Sequence, residues 1–250
     1  MGILYSRCIG ALKSMGKYIF TLDNDDLFFN ESLFRNIYKF AELNNYDIVE
    51  FKSFSINNYN PNLNDIQDSF FNFHPDNLIL YQPELGIFPI SKNNTFSAND
   101  YWIWAKCIKT KIYKKSINAL GEKKYSIYNC WTEDISIIFI IFNFAQSYIF
   151  LNIYGILHLI SINTTSNILE FNHKLLSEFF LLDIIIDFSK NNEKCKKYAV
   201  YKALEISKNN IFALSLKNQL YLKSILNKLI NCKYINKDDK KIIKKEFKLE

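Results

Sequence analysis

Arginine is nearly missing from this 250-residue chain: Arg7 and Arg35 are the only two among 31 basic residues. Dedicated nucleic-acid recognition leans on arginine for forked contacts to bases and phosphates, so no nucleic-acid partner is expected. Cysteines are few. Cys8, Cys107, Cys130, Cys195 and Cys232 form no CxxC pair and no metal-binding spacing. An odd, scattered count fits reduced thiols in a cytoplasmic protein better than a disulfide framework. The first residues lack the basic head and long apolar core of a secretory leader. Long apolar runs are absent as well. The most hydrophobic region, Ile135 to Ile162, is interrupted by Asn143, Gln146, Ser147, Asn152 and Gly155. No stretch reaches the roughly 18 uninterrupted apolar residues of a membrane helix, so these are core elements.

What is present describes a globular chain: 49% apolar and 16% aromatic, long enough for one large domain or two small ones. The net charge of +6 is confined to one end. Residues 217–250 hold ten lysines against Asp238, Asp239, Glu246 and Glu250, which leaves the remainder neutral. From Leu216 to Leu249, Leu or Ile alternates with Lys. Two readings stay open there, a solvated amphipathic helix or contact with an anionic membrane surface.

The chemistry concentrates in Lys17-Tyr18-Ile19-Phe20-Thr21-Leu22-Asp23-Asn24-Asp25-Asp26. Strand formers end in three carboxylates within four positions, and Gly16 ahead of them reads as a helix stop. In open α/β sheets the strand end is where ligands bind. Crowded carboxylates call for a countercharge, and oxygen-only ligands suit Mg²⁺ or Mn²⁺. A solvated acidic turn ahead of a helix is the other reading of the same residues.

The pattern over 3–15 is helical, with Ile9, Leu12 and Met15 as its apolar face, followed by a strand over 18–22. Asn30 is the expected N-cap of a helix carrying Leu33, Phe34, Ile37, Tyr38, Phe40 and Ala41, which Asn44-Asn45 closes. Residues 47–51 form the next strand. This α-β-α-β order implies a largely parallel sheet covered by helices. Residues 57–99, dense in Asn, Asp, Pro and Ser, are a long excursion with short strands, and His74 there is a lone surface histidine. A helix over 110–120 stops at Gly121, a strand covers Tyr125–Tyr128, and Thr132 caps an apolar helix whose first turn holds Glu133 and Asp134. Two strands, 147–151 and 154–159, follow. From Ile168 on the pattern is helical throughout, with breaks at Asn191-Asn192 and Asn209-Asn210. The expected division is an α/β domain over 1–167 and a helical C-terminal region over 168–250.

Three segments in order resemble the family 2 glycosyltransferases. Arg7 and then Gly16, Tyr18, Ile19, Asp23, Asp25 and Asp26 match that family's Ala-Arg-Asn-x-Gly helix start and its Gly-x-Tyr-Ile strand ending in Asp-x-Asp-Asp, with Ser6 and Cys8 in place of the Ala and Asn. Trp104-Ala105-Lys106 with Ile112-Tyr113-Lys114-Lys115-Ser116 is similar to the element on its acceptor side. Thr132-Glu133-Asp134 resembles its Glu-Asp pair at a helix start. Together they span residues 5–166.

The resemblance implies a GT-A-like (Rossmann-like) mixed sheet. It implies inverting transfer of a sugar from a nucleotide-diphosphate donor to an acceptor hydroxyl on a glycan or lipid-linked glycan. It implies Mn²⁺ or Mg²⁺ held by Asp25 with Asp23, donor contacts from Asp23, Arg7 and Asp26, and Asp134 as base with Glu133 orienting acceptor or base; for Arg7 a structural ion pair is the other reading. The family normally places a strand, a helix and a strand ahead of the helix that carries Arg7. The expectation is therefore an N-terminally truncated domain with weak donor binding, an unpaired edge at Tyr18–Leu22 or a neighbour, and self-association. No Gln-x-x-Arg-Trp motif of processive synthases occurs. Two functional classes stand: a metal-dependent transferase, cytoplasmic or peripheral to the cytoplasmic face of a membrane, and a catalytically inactive glycosyltransferase-like interaction module.

Overall fold

The computed structural model describes residues 2–29, 31–57, 66–68, 78–81, 102–127, 131–160, 171–188, 192–208, 215–232 and 235–249. Helix α1 (Ile3–Lys13) ends at Ser14, before Gly16. Its buried stripe is Leu4, Cys8 and Ala11, while Ile9 and Leu12 pack only partly and Met15 is 99% exposed. The expected apolar face is thus rotated, because two of the three core positions are the small side chains of Cys8 and Ala11. Strand β1 (Tyr18–Phe20) leads into the acidic turn, which a short β2 (Leu27–Phe28) closes. Helix α2 (Leu33–Asn44) buries Leu33, Ile37 and Ala41 and stops at Asn45, whose left-handed φ of 57° an asparagine tolerates. Asn30 lies outside the described residues.

Strand β3 (Ile48–Asn57) runs through the middle of the sheet. The excursion supplies β4 (Ile66–Asp68) and β5 (Ile79–Tyr81); His74 and most of that segment lie outside the described residues. Then come β6 (Lys106–Lys109), α3 (Thr110–Leu120), α4 (Glu122–Tyr125), α5 (Glu133–Phe144) and β7 (Ser147–Ile160). Tyr125 ends a short helix and does not start a strand. Its buried ring lies 6.0 Å from that of Tyr5 on α1, and tertiary packing there overrides β propensity.

The strand order is β1-β6-β3-β7-β2, with β4 on β3 and β5 on β7. Among the described residues β3–β7 is the only parallel pair and the other five pairs are antiparallel, so the sheet is mixed and not largely parallel. The reason is that β6 enters from a long excursion. Such a connection leaves it free to lie antiparallel to β3. Alternate residues serve opposite faces. Ile48, Ile108, Tyr148 and Phe150 pack with α1, α3 and α5, whereas Val49, Cys107, Ile149 and Leu151 pack with α2.

The two strands expected over 147–159 are one. Its register against β3 slips between Phe51 and Ser53, so that Lys52 faces Tyr154 and Ser53 faces Ile156. This bulge curls β7 and lets its second half pair with β2. Gly155 sits at the bend. A Cβ there would come within 2.5 Å of Phe51 Cδ2 and 2.7 Å of Leu33 Cδ2.

Buried ion pairs fix the strand starts. Asp47 Oδ1 accepts from Lys109 Nζ at 2.8 Å, and its Oδ2 accepts the Gln146 N–H at 2.8 Å. Glu50 Oε2 accepts from Lys106 Nζ at 2.8 Å and from the Tyr148 hydroxyl at 3.1 Å.

Beyond residue 170 the described segments are α6 (Phe171–Phe188), α7 (Glu193–Ser207), α8 (Leu216–Asn231) and α9 (Lys237–Glu246). Their apolar residues join the cluster under α1, α3 and α5. Asn192, expected as a break, is the N-cap of α7 and accepts the Cys195 N–H at 3.1 Å. The lysine-rich run is two helices, not one. Thr132 forms no side-chain cap; its hydroxyl donates to the Ser177 carbonyl at 2.7 Å and ties α5 to α6. Among the described residues no helix is long and apolar enough to cross a membrane. Cys8, Cys107, Cys195 and Cys232 are free thiols.

Candidate active site

The acidic turn after β1 and the first turn of α5 face each other across Arg7. Arg7 projects from α1 with its side chain only 12% exposed. Its Nη2 donates to Asp23 Oδ1 at 2.5 Å, its Nη1 pairs with Asp134 Oδ1, and Glu133 Oε1 lies 3.7 Å from the same nitrogen. One guanidinium therefore joins both carboxylate sets, which the chain keeps far apart in sequence. Asp134 Oδ2 also accepts the Ile103 N–H at 3.5 Å. Glu133 and Asp134 are buried at the start of α5, where the helix dipole favours negative charge. Burial pushes the Glu133 carboxyl up, Arg7 opposes that, and nearby Asp23 adds to it.

The three aspartates of the turn have different surroundings. Asp26 is buried and its side chain is fully enclosed. Its Oδ1 accepts the Leu159 N–H at 3.1 Å and meets His158 Nδ1 at 2.9 Å, and its own N–H donates to the Asp23 carbonyl at 3.1 Å. Asp26 Oδ2 is buried without a partner. Asp23 is committed to Arg7. Asp25 is half-buried and takes no hydrogen bond or ion pair among the described residues.

His158 was not singled out in the sequence. Its ring stacks on Trp104, centroids 5.2 Å apart and planes 12° from parallel, which orients Nδ1 toward Asp26. Burial opposes a charge on His158. The Asp26 hydrogen bond, with the charges of Asp26, Asp25 and Asp23, overcomes that and raises its pKa. The one signal in the sequence was a polar ring inside the apolar run Gly155 to Ile160, which periodicity alone does not distinguish from a surface position.

Four carboxylates thus share one guanidinium and one imidazole, Asp25 stands beside them unpaired among the described residues, and the excess is negative. Among the described residues no three His, Cys, Asp or Glu side chains are arranged to hold a metal by themselves. Mg²⁺ and Mn²⁺ seldom need such a cage, because they are commonly held by one or two carboxylates and completed by substrate phosphates. An uncommitted Asp25, Asp23 two residues away and an all-oxygen donor set fit that mode.

No protein-family model and no curated protein matches the sequence. Solved structures do match the fold. S. aureus TarS 1–349 in complex with UDP-GlcNAc superposes with a TM-score of 0.54 at 12% identity, covering 93% of this chain and 62% of that one. TarS 1–349 described without that ligand gives 0.51 at 13%, covering 92% and 60%. The chain spans about three fifths of these neighbours, and its fold is GT-A-like with helices at the C-terminal end.

Proposed function

We propose that this chain carries a family 2 glycosyltransferase site, which transfers a sugar from a nucleotide-diphosphate donor to an acceptor hydroxyl with inversion. The reading rests on one observation: Asp23 in the strand-end turn and Asp134 at the start of α5 are brought onto the same guanidinium within a GT-A-like fold. Asp25 and Asp23 would hold Mn²⁺ or Mg²⁺ against the donor diphosphate. The ion supplies positive charge where negative charge grows on the leaving diphosphate.

Asp134 is the base that takes the acceptor proton. Glu133, its Oε2 buried without a hydrogen-bond partner, would orient the acceptor or the base. Asp26 and His158 brace the turn that presents Asp23 and Asp25. Arg7 supplies the countercharge to Asp23 and Asp134 before the donor arrives. The acceptor proposed is a glycan or lipid-linked glycan hydroxyl.

A non-catalytic binding module is the second reading, favoured by Arg7 already neutralising both Asp23 and Asp134. The neighbour's UDP-GlcNAc makes UDP the first probe. Calorimetric titration of UDP with Mn²⁺ into the wild type and Asp25→Asn is expected to give binding that weakens at least about tenfold in the variant. Equal binding would remove Asp25 from the site. Binding without transfer to any acceptor from a nucleotide-sugar panel would favour the module.

A further inference from the structure

Helices α8 and α9 build a second surface with no part in the cleft. Leu216 and Leu220 lie one turn apart on α8 and are 72% and 59% exposed, among the most exposed large apolar side chains among the described residues. They line a groove with Lys223 of α8 and with Phe247, Lys248 and Leu249 just past α9. Among the described residues no acidic side chain lines it. Lys217 and Lys223 are exposed on the same helix, and the first turn of α8 contains no acid, so the positive end of its dipole adds to theirs.

We infer that this groove docks the protein on an anionic lipid surface. The argument is complementarity of charge combined with apolar exposure. Residues 217–250 contain ten lysines and four acids and account for the whole net charge, while the rest of the chain is neutral. A patch that recognised only a solvated anion would not expose Leu216 and Leu220. A patch made for an apolar partner would not need the lysines. Leucines that enter the headgroup boundary beside lysines that meet lipid phosphates satisfy both. Each lysine near such a surface contributes independently, so binding should rise steeply with anionic lipid content and fall with salt.

The test is co-sedimentation of the full chain with phosphatidylcholine vesicles containing none, 15% or 30% phosphatidylglycerol. Wild type is expected to bind only the anionic vesicles and to be released by high salt. Leu216→Ser with Leu220→Ser, and separately Lys217→Glu with Lys223→Glu, should each lower the partition coefficient on the order of tenfold. Unchanged circular dichroism shows that these surface variants remain folded. Equal binding to neutral vesicles, or anionic binding that neither variant weakens, overturns the assignment. So does a concentration-dependent dimer in ultracentrifugation that Leu220→Ser dissolves, because the groove would then belong to a second copy. The measurement needs no turnover, so it stands apart from the transferase reading.

Discussion

Arg7 Nη2 lies 2.5 Å from Asp23 Oδ1, and its other terminal nitrogen pairs with Asp134. The side chains of Arg7 and Asp134 are 12% and 11% exposed, so this cation is enclosed between the two halves of the cleft. Removing it leaves mostly buried carboxylates facing one another. Arg7→Met is expected to destabilise the fold by about 3 kcal/mol. Arg7→Lys should recover only part of that, since an ammonium cannot fork between two carboxylates. Urea midpoints of the three proteins decide it, and an unchanged midpoint in Arg7→Met would place the guanidinium in solvent.

Asp134→Asn separates base from scaffold. A base acts on the acceptor and not on the diphosphate. Turnover should fall by on the order of a thousandfold, in line with loss of a general base and its oriented charge. Affinity for UDP with Mn²⁺ should stay within about threefold, less than 1 kcal/mol. Collapse of donor binding in calorimetry would make Asp134 a structural partner of Arg7 alone.

His158 gives the stability a pH dependence whose sign follows from its raised pKa. The folded state holds the proton more tightly than the unfolded chain. The contribution is therefore complete below the ordinary histidine pKa of about 6.5 and is lost as pH rises through the higher folded value. Glu133, also raised, acts in the same direction beginning at lower pH. Wild type minus His158→Gln, compared by thermal midpoint at intervals from acid to weakly alkaline pH, should shrink as pH rises. Asp26→Ala should weaken the trend and cost about 3 kcal/mol, because it strands the Leu159 N–H and the imidazole together. A flat difference would rule out the Asp26–His158 pair as the source.

Gly155→Ala tests the curl of β7. Phe51 and Leu33 are both 2% exposed and leave no room for a methyl group. The expected cost is about 2 kcal/mol from overpacking. Phe51→Leu, destabilising by itself, should be less harmful in combination with Gly155→Ala. Strict additivity of the two in denaturant unfolding would mean that the bend opens without meeting Phe51.

The acidic strand end, the Glu-Asp helix start, the helix stops at Asn45 and Gly121 and the helical C-terminal region were legible in the residues. Each depends on near neighbours: an apolar period, a cap, a left-handed position. Arg7 was legible as a cation for the diphosphate or for an ion pair, but its partners were not, because Asp23 and Asp134 reach it only when α1, β1 and α5 close on the same sheet. His158 gave no local sign, since its meaning comes from Asp26 across the turn and Trp104 from another segment. The same holds for Cys8 and Ala11, which face the core although their size gives them little weight in a hydrophobic pattern. The mixed direction of the sheet, the single curled β7 and the diversion of the Thr132 hydroxyl to Ser177 were likewise decided by tertiary contacts. Periodicity reports what each segment must bury. It carries no record of which distant segment does the burying, or of which charge arrives there with it.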